Sequence, residues 1–116
     1  MPLPREKWLL GRKVSKIHRS QVYIELLSII LRYSDIRWFA LAGKIEDFFK
    51  RNSNLAFTYE EIKSRLVSDA LSDEKRAVTS ILLDYILEQL LTEGVIEARE
   101  VEENGIKKVY YAIKEE

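Results

Sequence analysis

Asn104-Gly105 separates two β-prone runs, AREVEE and IKKVYYA, and fixes how they pair. A two-residue type I′ turn requires positive φ at both central positions, which Asn and Gly tolerate. With Glu103 facing Ile106 across the turn, the rest of the register follows. Ile96 opposes Ile113, Ala98 opposes Tyr111 and Glu100 opposes Val109. On the other side Glu97 opposes Ala112 and Arg99 opposes Tyr110. A one-residue slip would invert both faces, so the mostly apolar set Ile96, Ala98, Val109, Tyr111 and Ile113 is expected to pack inward. The hairpin is also acidic: Glu97, Glu100, Glu102 and Glu103 line it, and Glu102 opposes Lys107 near the tip, where a cross-strand ion pair is expected.

The chain that carries this hairpin has 116 residues, 47% of them hydrophobic and 33% charged. That suffices for one domain with one core. The absence of cysteine excludes disulfides, thiol nucleophiles and thiolate metal sites, and fits a reducing, cytoplasmic interior. No apolar run approaches the roughly 18 residues of a membrane span. The opening MPLPREKWLL has too short an apolar stretch for a secretory signal.

A formal net charge of zero conceals an uneven distribution. Residues 1–19 hold Arg5, Lys7, Arg12, Lys13, Lys16 and Arg19 against the single acid Glu6, whereas residues 57–116 are acidic. Pro2, Pro4 and Gly11 interrupt the basic stretch, which shows no helical period. It reads as an N-terminal arm, 1–19, with Trp8-Leu9-Leu10 tucked against the domain or a partner.

From Ser20 the pattern turns helical. Gln21, Glu25, Ser28, Arg32 and Asp35 form one narrow polar stripe, and nearly everything else from Val22 to Tyr33 is apolar. A surface helix needs an apolar stripe of only about 100°. The helix at 20–33 is therefore either central to the core or covered by a second subunit through Tyr23, Leu26, Leu27, Ile30, Leu31 and Tyr33. Leu83, Leu87 and Leu91 offer a second face that could cover it within one chain. Ser34-Asp35 either caps a new helix or lies within one bent helix that continues through Trp38, Leu41, Ile45 and Phe49 to Asn52-Ser53-Asn54. Leu55-Ala56-Phe57 is a minimal strand. Thr58 and Glu61 form a capping box for a short helix burying Ile62, Leu66 and Val67. Ser72, Asp73 and Glu74 start a long helix that stops at Gly94.

The order from Ile36 onward is helix, strand, helix, helix, hairpin. Through FTYEEIKSRL (57–66), DEKRAVTSILLDYILEQLLTEG (73–94) and VIEAREVEENGIKKVYYAIK (95–114), the chain resembles the winged-helix superfamily, a helix-turn-helix variant. The pattern LLxEGxI followed by a hairpin is similar to small regulators of archaea and their viruses. The resemblance implies a mainly α fold with a small β-hairpin (α+β): a winged helix-turn-helix over 20–116, with 20–33 as an added N-terminal helix. It also implies that the third helix enters the major groove, through Lys75, Arg76, Thr79 and Ser80, and that the hairpin touches the DNA backbone through Lys107 and Lys108. Asp73, Glu74, Glu102 and Glu103 oppose phosphate at both places. The six cations of the arm are the stronger electrostatic candidates for double-stranded DNA.

Catalysis is not expected. His18 is the only histidine, the four glycines are scattered, and the paired acids are explained as helix starts and strand surfaces. No cofactor or metal site is expected. Two functions compete at this level. One is a homodimeric DNA-binding transcriptional regulator. The other is a module that docks protein partners through its acidic hairpin and apolar helix.

Overall fold

The computed structural model describes residues 2–14, 38–67 and 73–114. Along the chain these form β1 (Leu3–Pro4), α1 (Arg5–Trp8), β2 (Arg12–Lys13), α2 (Trp38–Arg51), β3 (Leu55–Thr58), α3 (Tyr59–Leu66), α4 (Asp73–Thr92), β4 (Ile96–Glu103) and β5 (Ile106–Ile113). All five strands belong to one sheet, in the order β1-β3-β5-β4-β2, and every pairing is antiparallel. The helix expected at 20–33, with Tyr23, Leu26, Leu27, Ile30, Leu31 and Tyr33, lies outside the described residues, as do Lys16 and Arg19.

The local signals act where they stand in the sequence. Asn104 and Gly105 adopt φ of 52° and 77°. The strands pair Ile96 with Ile113, Ala98 with Tyr111, and Glu103 with Ile106. Thr58 caps α3 in a reciprocal box: its backbone N–H donates to Glu61 Oε1 at 2.9 Å, and its Oγ1 accepts from the Glu61 N–H at 3.2 Å. Burial raises the Glu61 carboxyl, but the group is held below its ordinary value, with the Thr58 backbone N–H and hydroxyl both donating to Oε1 and so acting against burial. At the far end of α4, Gly94 N–H reaches Leu91 O and Val95 N–H reaches Leu90 O, which closes the helix with paired bonds to its last carbonyls.

Helices α2, α3 and α4 lie over one face of the sheet. Ile45 and Phe49 from α2, Ile62 from α3, and Leu83, Ile86, Leu87 and Leu90 from α4 pack with Phe57, Ile96, Ala98 and Tyr111 in one core. In α4, Leu82, Leu83, Ile86, Leu87 and Leu90 are all buried and share one face of the helix.

The mainly α expectation with a lone hairpin is overturned here. The sheet has five strands, and its second face is covered as well. Residues 3–13, expected as a basic arm outside the domain, cross that face as a strap. β1 lines the outer edge of β3 through Leu3–Ala56 and Pro4–Leu55. β2 lines the outer edge of β4 through Arg12–Glu100 and Lys13–Arg99. Between them α1 lays Trp8 onto Ala56, Tyr110 and Ala112, joined by Leu3 and by half-buried Val101. Tyr110 and Tyr111 are therefore both buried, on opposite faces. The alanines leave the floor low enough for an indole, and two edge strands satisfy backbone groups that would otherwise invite another chain.

Gly11 is where the strap comes closest to the hairpin. A Cβ there would lie 2.6 Å from Glu100 O and 2.8 Å from Val101 Cγ2. Gly11→Ala is expected to cost about 1–3 kcal/mol, since backbone must move to admit the methyl. Urea denaturation, with acrylamide quenching of tryptophan, should show both the loss and a loosened strap.

Candidate nucleic-acid interface

The cations expected to meet phosphate fall into three groups. The first is absorbed by the fold. Arg5 opens α1, and its Nη1 donates to Ile113 O at 2.7 Å and Ser53 O at 3.2 Å. Its guanidinium lies 5.1 Å from the Trp8 ring centroid. Arg99 faces the same ring at 5.2 Å, so two cations flank the indole. Trp8 itself is fully buried and donates Nε1–H to Tyr110 O at 2.9 Å. Lys13 Nζ lies 2.9 Å from Glu97 Oε1, while Arg99 Nε donates to Glu97 Oε2 at 2.9 Å. Arg99 Nη1 then reaches back to Leu9 O and Gly11 O, tying the hairpin to the strap.

Part of the acidity of the hairpin is thereby explained. Glu97 is a docking point for the chain's own basic segment. Its burial would raise the carboxyl, but the hydrogen bonds and charges of Lys13 and Arg99 outweigh that and hold it below its ordinary value. A depressed carboxylate stabilises the fold above its unfolded-state value, and that contribution is lost as pH falls through the lowered one. Acid is accordingly expected to weaken the strap once the pH drops below the ordinary carboxylate range. In Glu97→Gln this part of the pH dependence should vanish. Urea midpoints of both proteins between neutral pH and pH 3 check it.

The second group surrounds the start of α4. Lys75 and Arg76 belong to its first turns. Arg76 lines a small cleft of about 240 Å³ between α3 and α4, with Glu60, Lys63, Ser64 and Val67. Ser80 is turned onto its own helix, donating Oγ–H to Arg76 O at 2.8 Å. Its carbonyl receives the Tyr59 hydroxyl at 3.3 Å, which clamps α3 to α4. Thr79 is half-buried. The expected quartet thus divides. Ser80 serves the helix, and Lys75 with Arg76 carries the charge.

The third group is at the hairpin tip. Lys107 and Lys108 are exposed, as are Lys7 and Arg12 on the strap. A cleft of about 770 Å³ runs between strap and hairpin there. Lys7, Leu10 and Arg12 form one wall, and Glu100, Glu102, Glu103 and Lys107 the other. None of these charged side chains makes an ion pair with another described residue. Leu10 is 88% exposed and Ile106 58%.

Trp8, Arg99 and Glu97 were not legible as a cluster, and the cleft beside Leu10 was not legible at all. The available signal was the second hairpin face, where Ala112 and Tyr110 alternate as a buried strand's residues would. Among the described residues no group of histidine and carboxylate side chains has a metal-binding arrangement. No described helix is long and apolar enough to cross a membrane. Comparison with known proteins finds no matching family, no similar curated protein and no similar solved structure.

Proposed function

We propose that this protein binds double-stranded DNA as a cytoplasmic, homodimeric transcriptional regulator of winged-helix type. The observation that carries the reading is the helix pair α3–α4, clamped by Tyr59 and Ser80, with Lys75 and Arg76 at the start of the second helix. A hairpin follows directly in the chain, with Lys107 and Lys108 exposed on it. In this reading Lys75 and Arg76 enter the groove, and Lys107, Lys108, Lys7 and Arg12 meet the backbone. Arg5 and Lys13 are occupied within the strap and contribute nothing direct. Dimerisation is assigned to the segment holding Tyr23, Leu26, Leu27, Ile30, Leu31 and Tyr33, because two-fold symmetry presents two reading helices to two half-sites.

Fluorescence anisotropy on a labelled random-sequence duplex, at stepped salt concentrations, tests it. Lys75→Ala with Arg76→Ala is expected to weaken binding and flatten the dependence of log K on log salt by up to ~2, at about 0.9 per phosphate neutralised. Lys107→Ala with Lys108→Ala should act similarly. Salt-independent or absent binding supports the second reading, a protein-docking module. Glu102 and Glu103 at the tip, which have no ion-pair partner among the described residues, favour that alternative.

A further inference from the structure

The two walls of the cleft at the hairpin tip carry opposite charge. Lys7 and Arg12 stand on the strap wall, whereas Glu100, Glu102 and Glu103, offset by Lys107, stand on the hairpin wall. Each wall is two charges from neutral, with opposite sign, and none of these charged side chains has an ion-pair partner among the described residues. The three exposed large apolar side chains among the described residues, Leu9, Leu10 and Ile106, all lie at this end. A surface that pairs with itself about a two-fold axis must be complementary to itself. This one is: turned through 180°, the cationic wall of one copy faces the acidic wall of the other. Leu10, which lines the cleft and is 88% exposed, then falls within the contact among these charges, as apolar side chains do in protein interfaces generally.

The geometry points to a self-docking surface at the hairpin tip, through which two copies of this chain associate strap wall to hairpin wall. The contact involves neither DNA nor residues 20–33, so it stands or falls apart from the regulatory reading. Where residues 20–33 also pair two chains, the tip contact joins those pairs into larger assemblies.

Charge reversal tests the arrangement because it predicts rescue. Glu102→Lys with Glu103→Lys makes both walls cationic, and Lys7→Glu with Arg12→Glu makes both acidic. Sedimentation equilibrium without DNA, at low salt and up to several hundred micromolar, reads the weight-average mass. Wild type is expected to gain mass with concentration, and each variant alone to need roughly tenfold more protein for the same gain, as expected when several rim charges turn repulsive. An equimolar mixture of the two variants should recover the wild-type curve, since each cationic wall then meets an acidic one. Leu10→Asp should remove the part of the gain that responds to these charge reversals, both in wild type and in the mixture. Far-UV circular dichroism confirms that the variants keep their fold, because all the altered side chains are exposed. Wild type whose mass does not change with concentration overturns the proposal. Variants that match wild type, or a mixture no heavier than its components, overturn it equally, because an association that ignores these charges does not run through the two walls.

Discussion

Trp8→Ala is expected to remove about 3–5 kcal/mol of stability, the usual loss for truncating a large aromatic in a packed site. The indole is fully buried between the sheet and two guanidinium groups. Its only polar atom is satisfied by Tyr110 O. Truncation leaves a cavity over Ala56 and Ala112, whose side chains are too short to fill it, and it leaves Arg5 and Arg99 without the ring they flank. Since whole domains are stable by only about 5–15 kcal/mol, one substitution takes a large share. Trp8→Phe separates the contributions. It keeps most of the apolar contact and loses the Nε1–H donor, so about 1–2 kcal/mol should go. Urea midpoints for the three proteins measure both. A Trp8→Ala protein as stable as wild type would mean that the strap is not held by its tryptophan.

Deletion of residues 2–13 is expected to do more. It removes Leu3 and Trp8, worth roughly 1.5–3 kcal/mol or more each by burial, and it uncovers Tyr110 together with both outer edges of the sheet. Bare edges pair with other chains, so the shortened protein should aggregate and lack a sharp thermal transition. A dispensable arm gives the opposite outcome: an unchanged midpoint and only weaker electrostatics. The comparison also bears on DNA binding. Loss of affinity on deleting this segment would report unfolding, so the contribution of Lys7 and Arg12 to phosphate contact must be measured by point substitution.

What could be read from the sequence was whatever is decided locally. The hairpin register follows from two turn residues and a period of two, the capping box from Thr58 and Glu61, and the stop of α4 from Gly94. Each depends on residues within a few positions of one another. The strap is legible only in part, because little in it is local: Trp8 is tucked against the domain as expected, but Leu9 and Leu10 are exposed. β1 and β2 have two residues each, too few to show a period, and their partners lie far along the chain. Trp8 bonds to Tyr110, 102 positions away. Six cations in a short stretch suggest an arm for phosphate, yet Arg5 and Lys13 are held by carbonyls and a carboxylate supplied by the rest of the fold. The same contacts account for Glu97, one of the acids that line the hairpin. Ser80, one of the candidate DNA contacts, also shows a local bond that its residue type allows: its hydroxyl donates to the preceding turn of its own helix. The tip acids Glu102 and Glu103 stay exposed, as their place beside the turn suggested.

The account rests on the basic N-terminal segment being a permanent part of the sheet. Hydrogen exchange followed by NMR at the Trp8 indole Nε1–H and the Val14 amide tests this most directly, because the first donates to Tyr110 O and the second to Ala98 O at 3.0 Å. Both are expected to exchange orders of magnitude more slowly than an unfolded chain, with protection near that of the core amides of β4 and β5. Exchange at unfolded rates at both sites, with the β4–β5 core still protected, would contradict the account and restore the segment as a free basic arm.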